Sequence, residues 1–74
     1  MNYEYSKAIG RNISVIRQSK GLTQEQLSAK LQVVDCDITR SALAKIEVGQ
    51  RHIYPDELMA LKIVLEISYE ELFV

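Results

Sequence analysis

The stretch that decides the fold is residues 23–51, TQEQLSAKLQVVDCDITRSALAKIEVGQR. It contains two helix starts. Thr23 is an N-cap whose hydroxyl can accept from the first turn, and Gln26, three residues on, can reach back to the Thr23 N–H. Leu22 before the cap and Leu27 after it have the spacing of a hydrophobic staple. Thr39 repeats part of the pattern, with Ile38 before it and Leu43 after it. The second helix should run over residues 39–48 and stop at Gly49, which suits the positive φ of a C′ residue. Its apolar positions are few: Leu43, Ile46 and the small Ala42 or Ala44. Arg40, Ser41, Lys45 and Glu47 make up the rest. Such a helix can be pinned to a core on one narrow side and still present side chains on the other.

The rest of the chain reads as short helices of the same kind. Ser6 is a candidate cap for a first helix over residues 6–19, after a frayed start at 1–5. Ile9, Ile13 and Ile16 recur at helical spacing. Gly10 lies inside that helix at a cost of about 1 kcal/mol against alanine, and it allows a neighbour to pack closely. Gly21 is the C′ residue that ends it. In the second helix, Leu27, Leu31 and Val34 continue one stripe. It either runs to about Val34 with a link at residues 35–37, or stops near Gln32 and leaves a looser loop. The first is preferred, because the turn formers cluster only at Asp35, Cys36 and Asp37. Pro55 fits the first turn of a fourth helix, and Asp56 and Glu57 favour its dipole. Leu58, Leu61 and Leu65 make its apolar face. Ser68 with Glu71, and Ile67 with Leu72, mark a last short helix. The expected architecture is all-α, one domain over residues 1–74, with five short helices at 6–19, 24–34, 39–48, 55–66 and 69–73.

The residues Gly21-Leu22-Thr23-Gln24, Leu27, Leu31, Ile38-Thr39-Arg40-Ser41, Leu43, Lys45-Ile46-Glu47 and Gly49 resemble the helix-turn-helix of phage-repressor-like proteins, the lambda-repressor and Cro class often called the XRE family. The resemblance extends to residues 13–17 and 55–68, and places the helix-turn-helix at about 23–49. It departs from the family in one place. The link between the second and third helices is lengthened, and Gln32 stands where a turn glycine is usual.

The resemblance implies a function. The third helix would enter the major groove of double-stranded DNA, with Arg40, Ser41, Ala44 and Lys45 at the base-reading positions. Gln24, Thr39, Arg51 and Arg17 would meet phosphate, a kind of contact that positions the protein without reading sequence. Arg17 would also pair with Glu47 as a structural tie between the first and third helices. The plain alternative for Arg40 and Lys45 is a solvated helix face, and for Gln24 and Thr39 ordinary helix starts. Asp35 and Asp37 would repel phosphate if they faced DNA.

Composition sets the remaining bounds. Seventy-four residues with 47% hydrophobic and 26% charged residues fit a folded domain with a modest core. The net charge is −1, but it is unevenly spread. Residues 1–52 carry eight basic against five acidic side chains, and residues 53–74 carry one against five. Local charge, not the total, sets the field over a binding face. One cysteine and one histidine argue against a disulfide framework and a metal site, so neither metal nor cofactor is expected. There is no Ser-His-Asp set, paired-acid pattern or phosphate loop, so no enzyme is expected. No apolar run suggests a membrane span or a leader, and the expected compartment is the cytoplasm, at the nucleoid when DNA-bound.

The sequence therefore predicts a small regulator of transcription, most simply a repressor, binding a two-fold operator as a homodimer through residues 53–74. The competing reading is an antitoxin or protein-interaction module on the same scaffold, using Met59, Ile63 and the acidic end for a protein partner.

Overall fold

The computed structural model describes residues 3–73. Five helices follow one another: α1 (Tyr3–Ser19), α2 (Gln24–Val33), α3 (Arg40–Glu47), α4 (Pro55–Leu65) and α5 (Tyr69–Phe73), with no strand among the described residues. The chain fits within 29 × 21 × 20 Å. The α1 helix packs on α3 and α5, while α2 packs on α3 and α4. Ile13, Leu27, Leu31, Ile38, Leu43, Ile46, Leu61, Leu65 and Leu72 are the largest fully buried side chains. Each helix thus gives the core at least one residue, and removing a side chain of this kind from water stabilises by about 1.5–3 kcal/mol.

The starts of the helices follow the local chemistry of the sequence, with one exception. At Thr23 the hydroxyl accepts from the Gln26 N–H at 3.0 Å, and the Gln26 side chain accepts from the Thr23 N–H at 2.9 Å. Thr39 accepts from the Ala42 N–H at 3.2 Å. At α5, Glu71 accepts from the Ser68 N–H at 3.0 Å. The exception is α1, which begins at Tyr3 rather than after Ser6. No helix breaker separates residues 3 and 6, and Glu4 in the first turn suits the dipole. Tertiary contact also holds this turn, because a Cβ at Gly49 would collide with the backbone and Cγ of Lys7. Of the frayed start expected at residues 1–5, the first two residues lie outside the described part, and the remaining three are helical.

The ends of α1 to α4 repeat one device. The Leu22 N–H bonds the Arg17 carbonyl at 3.1 Å, Cys36 bonds Leu31 at 2.9 Å, Gln50 bonds Lys45 at 2.8 Å, and Ile67 bonds Lys62 at 3.2 Å. Each bond closes over a left-handed residue, as in a Schellman motif. Gly21 and Gly49 were expected there, at φ of 73° and 78°. Asp35 and Glu66 occupy the other two, at φ of 61° and 56°, without glycine's freedom.

The lengthened link is therefore ordered. Helix α2 ends at Val33 with Val34 as its cap, close to the longer of the two readings. The stripe does not continue as expected, since Val34 is 41% exposed. Once the chain turns at Asp35, the core is filled instead by Cys36 and Ile38. The buried Ser28 hydroxyl donates to the Ile38 carbonyl at 2.7 Å, tying the link to α2. The expected face of α4 holds at Leu61 and Leu65, while Leu58 is half-buried and Ala60 is buried.

Candidate nucleic-acid interface

On α3 the inward side chains are Leu43, Ile46 and Glu47, all buried. Arg40, Ser41 and Lys45 are exposed, and Ala44 is half-buried. One row on a short helix is thus open to solvent and carries two cations, a hydroxyl and a methyl group. These groups can donate to guanine O6 and N7, bond several bases, and touch a thymine methyl.

What holds that helix is a buried polar knot at its C-terminal end. Arg17 Nε donates to Glu47 Oε2 at 2.8 Å, and Arg17 Nη2 donates to Oε1 at 3.1 Å. Arg17 Nη1 donates to the Leu22 carbonyl at 2.7 Å. Gln24 Nε2 donates to Glu47 Oε1 at 3.0 Å. The two charged residues are 8% and 9% exposed, so this pair is shielded from water. Four segments meet there: the end of α1, the turn before α2, the start of α2, and the end of α3. Gly10 allows the approach, because a Cβ on it would collide with the Ile46 carbonyl oxygen.

This geometry sorts the residues expected to meet phosphate. Gln24 is half-buried and at the first position of α2, with its amide nitrogen turned to Glu47. The Thr39 hydroxyl accepts inside its own cap and retains a proton to donate outward. Arg17 spends all three nitrogens on protein acceptors and faces little solvent. Arg51 is held by Glu57, with Nη1 on Oε1 at 3.0 Å and Nη2 on Oε2 at 2.9 Å, and Nη1 also reaches the His52 carbonyl at 2.7 Å. Its guanidinium also lies 5.9 Å from the Tyr54 ring centre. Hydrogen bonds from Arg51 hold the Glu57 carboxyl below the usual range, with help from the Tyr54 N–H at 2.9 Å.

Asp35 and Asp37 border a recess shared with Asp56, Glu57 and Ala60, on the α4 side of the link. The Cys36 thiol beside them is pushed up by burial first, then by Glu57 and Asp56. Sequence reasoning gave Glu57 to the helix dipole alone, without its tie to Arg51, and missed Ser28. Glu57 carried a signal, since glutamate three residues beyond a cap position is a capping pattern. The bond from Ser28 to Ile38 carried none, because it spans the irregular link.

The helix-turn-helix family (HTH_3) matches residues 13–72. The chain belongs to that family. Among solved structures, it is similar to the restriction-modification controller protein C.AhdI from Aeromonas hydrophila, at 30% identity over 96% of each chain and a TM-score of 0.84. The DNA-binding domain of BldD shares the fold, at 22% identity over the full length of both and a TM-score of 0.83. No curated protein matches the chain. Family and fold agree with the lambda-repressor and Cro-like resemblance, and they support a DNA-binding regulator of transcription. No helix among the described residues is long and apolar enough to cross a membrane.

Proposed function

We propose that the protein is a sequence-specific repressor that reads a two-fold operator as a homodimer. The observation that carries this is the division of α3. Leu43, Ile46 and Glu47 are locked inward, while Arg40, Ser41 and Lys45 are presented together outward. In this reading α3 lies in the major groove, with Arg40, Ser41, Ala44 and Lys45 against base edges. Gln24, the Thr39 hydroxyl and Arg51 meet the backbone on either side. Arg17 serves through Glu47, by fixing the angle at which α3 is offered, more than by touching phosphate itself. Residues 53–74 supply the contact between copies, and two α3 helices then sit about 34 Å apart, one duplex turn. The similarity to a restriction-modification controller protein supports control of transcription as the setting.

The test is selection from random duplexes, followed by titration across salt. A two-fold consensus, bound with affinity that falls steeply with salt, is the expected result. Absence of a consensus would overturn the reading. The competing protein-interaction module is favoured by the exposure of Met59 and Ile63, at 54% and 56%. It would show no salt-dependent binding to any duplex.

A further inference from the structure

The seam between the end of α2 and α4 carries an apolar surface that the fold leaves open. Val33 is 83% exposed, Val34 41%, Met59 54% and Ile63 56%. Val33, Val34 and Ile63 line one shallow groove, with Lys30 and Val64 at its edge. Val34 also borders the neighbouring recess, where Asp56 and Asp35 lie. From the recess to the groove, the lining passes from acidic side chains at Asp35 and Asp56, through Val34, to Val33 and Ile63 with Lys30 of α2 beside them.

That order has a consequence. A surface acidic at one end, basic at the other and apolar between is complementary to itself when turned by a two-fold axis through its centre. Lys30 of one copy then faces Asp56 of the other, twice, while the valines and Ile63 meet in the middle. Isologous contacts are built in this way. Duplex DNA is a poor occupant, because the acidic end repels phosphate. A foreign partner would have to reproduce the charge order that a second copy already has.

We propose that this seam, centred on Val34 and Ile63 and flanked by Lys30 and Asp56, is the two-fold contact between two copies of the chain. The proposal rests on the homodimer of the preceding reading. It extends the contact beyond residues 53–74 to the last turn of α2.

The experiment is sedimentation of the full chain without DNA, with circular dichroism as a check that each variant folds. Wild type should be a dimer at high micromolar concentration, and Ile63→Glu a folded monomer. Lys30→Glu places acid against acid and Asp56→Lys places base against base, so each alone should weaken pairing by about tenfold or more. Mixed one to one, the two variants should pair with each other, because both cross-contacts are again between opposite charges. A wild-type monomer would overturn the proposal. So would an Ile63→Glu dimer, or a mixture that pairs no better than its components. Duplex binding at low salt, measured on the same samples, tests the DNA-binding reading separately. Its loss with pairing intact would count against that reading and not against the seam.

Discussion

Two arginine–glutamate pairs brace the helix-turn-helix near the end of α3, and they differ in what surrounds them. Arg17 and Glu47 are 30 positions apart in sequence, buried, and joined by Gln24 and the Leu22 carbonyl into one knot. Arg51 and Glu57 are six apart; Glu57 is as buried as Glu47, at 9%, and the pair opens to water on the arginine side, which is 28% exposed. The first pair fixes one helix against two others, while the second closes a local turn before α4. Identical chemistry therefore has different weight. A pair buried on both sides leaves an uncompensated charge when it is broken, whereas one that opens to water at its arginine is partly rehydrated. The comparison also teaches something about the interface. Both pairs occupy arginines that sequence alone offered to phosphate, and the cations left uncommitted on α3 are Arg40 and Lys45.

The largest effect should come from the buried pair. Glu47→Ala strands Arg17 and should cost about 3–5 kcal/mol of stability, read from chemical denaturation. A loss no larger than that of an exposed pair would erase the contrast. Gly10→Ala should come next. It improves helix propensity by about 1 kcal/mol, but its Cβ meets the Ile46 carbonyl, and such overpacking costs about 1–3 kcal/mol. The net result should be destabilisation, and a raised melting temperature would show that α1 does not sit so close to α3.

Asp35→Gly touches neither pair and should stabilise by about 1 kcal/mol, since it relieves a left-handed non-glycine residue. A loss of stability would mean that the carboxylate at 35 serves the link in a way that outweighs its backbone strain. The smallest effect belongs to the pair that opens to water at Arg51. Glu57→Gln should cost about 1 kcal/mol or less near neutral pH. Because Arg51 lowers the Glu57 carboxyl, the stability it provides is present above the ordinary glutamate range and lost as pH falls through the lowered value. Melting curves of wild type and variant should therefore converge in acid. A gap unchanged by acid would show that charge is not what the pair contributes.

Much of the fold was legible because its punctuation is local. The box at Thr23 and Gln26, the caps at Thr39 and Ser68, and the stops at Gly21 and Gly49 involve neighbours in sequence, so residue type nearly decides them. The misses lie where distant contacts decide. Ser6 is a good cap by type, yet α1 starts earlier, with its first turns packed beside Gly49. Val34 fits the stripe of α2, yet the turn at Asp35 sends Cys36 and Ile38 inward in its place. Glu66 adopts the glycine conformation without being glycine, and nothing in its type announces it, whereas Asp35 is of a type that forms turns and tolerates that conformation. For the candidate site, the alternation along α3 announced its outward row. The engagement of Arg51 with Glu57 could be read only once the turn between them was folded.

The central claim is that the outward row of α3 reads sequence. It is tested most directly by titrating wild type, Arg40→Ala, Lys45→Ala and Arg51→Ala against the selected operator and a scrambled duplex over a range of salt. Arg40→Ala and Lys45→Ala should keep their melting temperature, because both side chains are exposed. Each should lose about 1–3 kcal/mol on the operator and little on the scrambled duplex. Arg51→Ala should weaken both duplexes alike and flatten the salt slope by about one unit. Full affinity and full discrimination in both α3 variants would contradict the account.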